Sequence, residues 1–283
     1  MARIRKCAGS KFHTGVSVCE LDYDKIKAVV LTRRGVKLDY SDLNNMLEQC
    51  HAGVAERCYP FKGIINWEPN GGEAQTSQVG YGPTMYNGMS ARTDAFTLDK
   101  FRHYQRAEIL KNAEEDWDAY YIDMRNNIYG LNDGTETLAG IPVNIYPSGN
   151  DHPGASDKAS LVLNVVYVDV EEYMLNLDVH ELGFNANNAL TGLMPVELVK
   201  LGTSGNEYKL VEHYGGGDCT AKYGEIVAQG GQDVIDLTGL SAVTYDSSKN
   251  TLTITGTGTA PKLKDAATLF ENSIFGIEQY TVA

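Results

Sequence analysis

Between Asn185 and Ala283 the chain breaks into seven short segments of strand character separated by turn-forming residues. That spacing limits the fold more than any other feature. The clearest piece is Ser241–Thr255, where Val243 and Tyr245 alternate with polar residues, residues 246–250 turn the chain, and Leu252 and Ile254 alternate again. Alternate side chains of a strand share a face, so this is a hairpin with one buried side. The remaining segments are Val196–Leu201, Tyr208–His213, Gly224–Ala228, Val234–Leu237 and Ser273–Val282. Seven strands in about one hundred residues suit an immunoglobulin-like β-sandwich. The Cys…Trp…Cys spacing of antibody domains is missing, because this stretch holds Cys219 alone and no Trp. Residues 185–283 are therefore expected to form a sandwich domain by pattern, not by signature.

Residues 1–184 read as a different, α+β assembly domain. Residues 1–20 mix Gly, Ser, Thr and basic side chains and suggest an extended arm, and Lys27–Thr32 a short strand. Ser41 is expected to cap a helix through Cys50, since Leu43, Met46, Leu47 and Cys50 fall at helical spacing and Asp42 suits the helix dipole. Residues 61–96 are glycine-rich and carry Pro69 and Pro83. A connection this long is either disordered or an extended hairpin whose partners lie on another subunit. Trp67, Tyr81, Met85, Tyr86 and Met89 are too apolar for a free linker, which favours intersubunit contact.

Further on, a long helix is expected over Leu98–Glu115, then two strands within Trp117–Leu131 around a turn at Arg125–Asn127. Ile141–Tyr146 reads as a strand that Pro142 places at an edge or at its own start. Leu161–Val170 is the strongest strand signal, apolar on both faces, so Val166 and Val168 are candidates for a buried sheet or an interface. Glu171–Val179 is expected to continue as strand, and the domain boundary to fall near Phe184–Leu190.

An apolar content of 42% with 22% charge belongs to a folded chain, and 17 Tyr with 29 Gly favour strands and turns. No apolar run is long enough to span a bilayer, and no apolar stretch follows the basic Met1–Cys7, so synthesis and folding in the cytoplasm are expected without a membrane partner. Five cysteines (Cys7, Cys19, Cys50, Cys58, Cys219) make an odd set, expected as thiols in a reducing setting. A zinc reading would combine the first four with His13 or His51, but none has the short spacing of a structural site, so neither metal nor cofactor is expected. Charge is uneven. Residues 1–60 carry ten Lys/Arg against seven Asp/Glu, a net of +3, whereas residues 61–283 carry fourteen against thirty, a net of −16. An acidic body repels phosphate, which argues against tight nucleic-acid binding.

Motifs for catalysis are weak throughout. His180-Glu181 opens like a zincin helix, but Phe184 stands where the second histidine is required. Gly215–Cys219 is a turn-like glycine run without the strand-then-helix context of a phosphate cradle. The acidic run Glu114–Asp118 suits a solvated face better than the paired carboxylates of a glycosidase. Asp151-His152 has no Gly-x-Ser-x-Gly serine to serve, and Cys219 has only His213 nearby in sequence.

A β-rich N-terminal domain with one flanking helix, a long glycine-rich loop, an extended N-terminal arm and an immunoglobulin-like domain appended at the C-terminus resembles the tail-tube (major tail) proteins of long-tailed bacteriophages. The resemblance rests on architecture and carries no residue motif. It implies a non-enzymatic virion subunit, assembled in the host cytoplasm, that forms stacked hexameric rings with copies of itself and contacts other virion proteins. It also implies an acidic lumen in which DNA is a non-sticking passenger, with an inner wall built from Trp117–Leu131 and Leu161–Val170. The alternatives from the residues are a capsid decoration or head–tail connector protein, and a carbohydrate-binding protein or glycoside hydrolase using Trp67, Trp117 and the tyrosines.

Overall fold

A computed structural model describes residues 24–155, 158–202, 205–258 and 260–281. The expected arm over residues 1–20, with Cys7, His13 and Cys19, lies outside them. Strands make up 40% of the structure and helices 19%, so the fold is mainly β. The chain divides into two compact units. The first contains the described residues up to Val30 and Phe61–Phe184, and the second contains Leu31–Pro60 and Asn185–Ala283. The second division thus falls where the sequence placed a linker, but residues 31–60 group with the C-terminal stretch and not with residues 1–184. The chain crosses along β1 (Ile26–Arg33), forms helix α1 (Leu43–His51) in the second unit and returns along β2 (Tyr59–Lys62).

The first unit then runs β3 (Ile64–Gly71), β4 (Ala74–Ser77), β5 (Met85–Met89), β6 (Arg92–Leu98), α2 (His103–Lys111), β7 (Trp117–Asp123), β8 (Asn127–Leu131), β9 (Ile141–Ser148), β10 (Leu161–Tyr167), α3 (Val170–Asn176) and β11 (Leu177–Glu181). Its main sheet has the order β11-β8-β7-β9-β10-β6-β3, with β1 also pairing β7. Leu161, Leu163 and Val165 of β10 share one face with Phe96 and Leu98 of β6, and all are buried. Asp123 fixes the β7–β8 turn. Its buried carboxylate accepts from the backbone N–H groups of Arg125 (2.9 Å) and Asn127 (2.8 Å), from Asn127 Nδ2 (2.8 Å) and from the Tyr129 hydroxyl (2.9 Å). Asn126 takes the left-handed conformation (φ 64°) that this turn needs and that Asn tolerates.

The second unit continues with α4 (Ala186–Ala189), β12 (Met194–Lys200), β13 (Glu207–Glu212), α5 (Thr220–Gly230), β14 (Ile235–Asp236), β15 (Ala242–Asp246), β16 (Thr251–Thr255), β17 (Lys262–Leu263), α6 (Ala266–Glu271) and β18 (Ile277–Gln279). One five-stranded sheet has the order β15-β16-β13-β12-β18, and β14 pairs β17 separately. The expected 241–255 hairpin forms, with Val243 opposite Ile254 and Tyr245 opposite Leu252. The second layer of this unit, however, is not the second sheet of a sandwich. Helix α5 packs on β13, β15 and β16 where a strand was expected over Gly224–Ala228. Thr220, Tyr223, Gly224 and Val227 form its buried face.

Other expectations are corrected in the same way. The helix over Leu98–Glu115 is cut to His103–Lys111, because Leu98 is the buried last residue of β6, paired with Leu161 and Ile64. Glu171–Val179 begins as helix, not strand. Asp169 caps α3 by accepting from Glu172 N (2.9 Å), and Glu171 and Glu172 favour the first turn. Asp42, not Ser41, caps α1, accepting from Asn44 N (2.8 Å) and Asn45 N (2.9 Å). Pro142 lies near the start of β9, a strand paired on both sides, to β7 and β10. Strand β18 is shorter than the expected Ser273–Val282 and follows a helix, α6, capped by Asp265 on Thr268 N (3.0 Å).

His51 ties α1 to α6 and β18. It is fully buried, its ring tilted against that of Phe270 with centroids 4.9 Å apart, and its Nε2 accepts from Gly276 N (2.9 Å). Nδ1 therefore carries the proton and donates to the Leu47 carbonyl (2.8 Å). Burial pushes the imidazole pKa below its ordinary value, which outweighs the Leu47 contact. A depressed folded pKa means that the unfolded chain binds the extra proton more readily. This contribution to stability is complete above the unfolded value of about 6.5 and is lost as pH falls through the folded value. Urea unfolding between pH 7.5 and 5 should show stability falling below about 6.5, and His51→Phe should remove that part of the slope. The same variant should be weaker at pH 7.5 by about 1–3 kcal/mol, because Gly276 N–H is left unsatisfied.

Candidate interaction surface

The glycine-rich tract is a β-ribbon. Strand β3 pairs β6 from Ile64 opposite Leu98 to Gly71 opposite Arg92, and β4 pairs β5 beyond it. Between the two ladders Gly72 N donates to Ala91 O (3.2 Å) and Ser90 N to Glu73 O (2.9 Å), so the ribbon is continuous. Gly71 is required at the junction. Its φ is +80°, and a Cβ there would lie 2.0 Å from the Ala91 carbonyl oxygen. The tip closes with Gly82 N donating to Val79 O (3.0 Å) and Gln78 Nε2 to Gly82 O (2.7 Å). Tyr86 donates its hydroxyl to Glu171 Oε1 (2.6 Å), which holds one side of the ribbon to α3.

This ribbon is exposed and carries a set of large apolar side chains among polar ones. Tyr81 at the tip is fully exposed, Val79 is 75% exposed and Ile65 68%, and Trp67, Met85 and Tyr86 stand out as well. Trp67 lies opposite the buried Phe96, at the rim where the core face of the sheet runs out. β3 is also the last strand of the main sheet, with β6 its only ladder partner among the described residues. Exposed edge strands with apolar side chains are templates for another chain. A two-stranded ribbon is marginal in water by itself. Each large apolar side chain buried by a partner contributes roughly 1.5–3 kcal/mol.

Of the sequence candidates, Trp67, Tyr81, Met85 and Tyr86 sit together on this ribbon, and Met89 is half-buried opposite Ala74. Val166 and Val168 are elsewhere. Val166 is half-buried in the middle of the sheet opposite Asn144 and Thr93, whereas Val168 is exposed just past β10. With Val168, the exposed Met174, Leu175 and Leu177 give α3 and the edge strand β11 apolar surface of their own. Sequence reasoning missed these three because the segment read as strand, and missed Ile65 and Val79 although they lie inside the tract it singled out.

The expected inner wall is corrected in part. All seven residues of β7 are buried and so are four of five in β8, so Trp117–Leu131 offers no open sheet face. The more open face lies farther along the sheet, where the register aligns Asn144, Tyr146 and Ser148 of β9 with Val166, Asn164 and Val162 of β10 and with Thr93, Ala95 and Thr97 of β6. These side chains are uncharged.

A buried polar cluster anchors the base of the ribbon. Arg92 Nε and a second guanidinium nitrogen donate to the two oxygens of Asp94 (3.0 and 3.2 Å), and the Tyr167 hydroxyl donates to Asp94 Oδ2 (2.8 Å). The guanidinium carbon lies 5.0 Å from the ring centroids of both Tyr167 and Tyr173. Burial works against the charged guanidinium, but the Asp94 carboxylate together with the neighbouring Tyr167 and Tyr173 outweighs it and raises the Arg92 pKa above its ordinary value. Burial also raises the pKa of the Tyr167 phenol.

The residues weighed for catalysis are scattered. His180 faces Asp178 (3.9 Å), Asp151 pairs Arg106 (3.1 Å), and His213 stacks on Tyr280 at 3.4 Å with Glu197 beside it. Cys219 Sγ contacts the Gly217 carbonyl (3.6 Å). Among the described residues, no three His, Cys, Asp or Glu side chains converge to hold a metal, and no helix is long and apolar enough to cross a membrane. No protein-family model matches the sequence, and comparison with curated proteins gives no match.

Arg92→Leu would leave the Asp94 carboxylate buried without its cation. Removing one partner of a buried pair typically costs about 3–5 kcal/mol, and urea titration should show a loss of that order. Arg92→Lys should recover only part of it, since an ammonium cannot reproduce the two-pronged contact.

Proposed function

We propose that this chain is a non-enzymatic virion structural subunit that assembles with copies of itself, most simply as a tail-tube protein of a long-tailed bacteriophage. The observation that carries the reading is the exposed apolar ribbon continuing from an open sheet edge. Contiguous exposed apolar surface of this kind marks a site of interaction. On this reading the occupant is a second copy, held through a heterologous contact in which the ribbon of one subunit meets a different surface of the next. Contacts of that type close into rings or extend into open tubes. The stacked hexameric rings belong to the architectural resemblance.

The charge distribution supports a passive relation to DNA. Residues 61–283 carry a net of −16, so the body as a whole repels phosphate, and a channel lined by uncharged side chains offers it no cation to adhere to. The uncharged face of β9, β10 and β6 is the sheet surface open to line it, in place of Trp117–Leu131.

Negative-stain electron microscopy of the purified chain across a concentration series tests the proposal. Rings or stacked tubes with a central hole are expected. The double variant Trp67→Ser/Tyr81→Ser should stay dispersed while keeping the melting temperature and circular dichroism of the dilute, dispersed wild type, because both side chains are exposed in the single chain. Dispersed wild-type monomers at high concentration would sink the self-assembly reading, and binding of such monomers to capsids would favour a decoration protein instead.

A further inference from the structure

Cys50 lies on the buried face of α1, one residue before its end, and Cys58 immediately precedes β2. Their sulfurs lie 3.3 Å apart, and each residue is 1% exposed. The approach is set by the backbone as well as by the side chains. Cys58 N donates to the carbonyl of Gln49, the residue next to Cys50, at 3.2 Å. Gln49 is itself fixed, its Nε2 donating to Lys37 O (2.9 Å) and Glu56 O (3.2 Å) and its Oε1 accepting from Asp39 N (2.8 Å). Arg57, beside Cys58, donates to Ala52 O (2.9 Å) and pairs with Glu278 (2.7 Å). The two thiols are thus held together from both flanks.

We propose that Cys50 and Cys58 are a latent cystine that forms one intrachain disulfide in an oxidising medium and clasps the end of α1 to the start of β2. The inference is independent of the self-assembly reading. A disulfide of about 2.05 Å needs the sulfurs to close by little more than 1 Å, within the reach of small χ1 adjustments. Metal capture is the poorer fit. His51, the nearest imidazole in sequence, has one ring nitrogen donating to Leu47 O and the other accepting from Gly276 N.

The oxidant is a small-molecule disulfide. One cysteine loses its proton to solvent and its sulfur attacks that disulfide, giving a mixed disulfide and releasing one small thiolate. The second cysteine loses its proton and attacks the protein sulfur of the mixed disulfide, releasing the second thiolate. Two S–H bonds are lost, one S–S bond forms within the protein, and the two electrons reside in two small thiols. The hydrogen bond that Cys58 donates to Cys50 and burial both raise the Cys58 pKa, so Cys58 stays protonated at neutral pH and exchange is slow.

The test uses the full wild-type chain incubated at pH 8 with oxidised glutathione or with a phosphine reductant. Both samples are then alkylated in denaturant and mapped by peptide mass. The expected result is a Cys50–Cys58 cross-linked peptide only in the oxidised sample. Closing so short a loop should raise the melting temperature by about 5–10 °C, and Cys58→Ala should abolish that gain. Recovery of both residues as alkylated thiols after oxidation, including oxidation in mild urea that opens the segment, would overturn the proposal. So would bridging of either one to Cys7, Cys19 or Cys219.

Discussion

Strand β6 is paired on both sides, to β10 and to β3, and the ribbon that extends from the first unit begins where those two ladders meet. Its residues divide by face. Asp94, Phe96 and Leu98 enter the core, while Thr93, Ala95 and Thr97 are only half-buried. Arg92 adds an ionic anchor at the base, clamped by Asp94 and two tyrosine rings. A buried ion pair is a poor source of net stability but fixes geometry, since misplacing either partner leaves a charge in an apolar setting. Here the pair sits at the junction where an otherwise marginal two-stranded ribbon leaves the sheet.

The second unit is organised around a different constraint, the close approach of α5 to its sheet. A Cβ on Gly224 would lie 2.7 Å from the Tyr245 ring, so the glycine lets helix and β15 approach. The core beneath combines Tyr223 and Val227 with Leu210, Leu252 and Ile254. Segment 31–60 belongs to the same unit through α1, which packs on α4 and α6 and places His51 against Phe270 and Phe275.

What the sequence disclosed was local. The β7–β8 and β15–β16 hairpins, β10 and α1 announce themselves through turn residues and through the periods of two and 3.6 that those elements require. What it concealed depended on distant residues. Gly224 looks like a helix breaker until Tyr245 is placed against it, so α5 read as a strand. Helix α3 was legible in principle, through Asp169 followed three residues later by Glu172, but Tyr173, Met174 and Leu175 gave the segment strand character. For the candidate surface, an excess of apolar side chains in a glycine-rich tract was sufficient to single out Trp67, Tyr81, Met85 and Tyr86. Exposure is a tertiary property, and it set Val166 and Met89 apart from them.

The central claim is that the ribbon and the β3 edge are covered by another copy of the chain. Hydrogen exchange read by mass spectrometry, comparing dilute with concentrated protein, measures this directly. Peptides from residues 64–91 should exchange quickly in the dilute sample and become strongly protected on assembly, while peptides from β7, buried in the single chain, should change little. Assembly with the ribbon still exchanging quickly would contradict that claim.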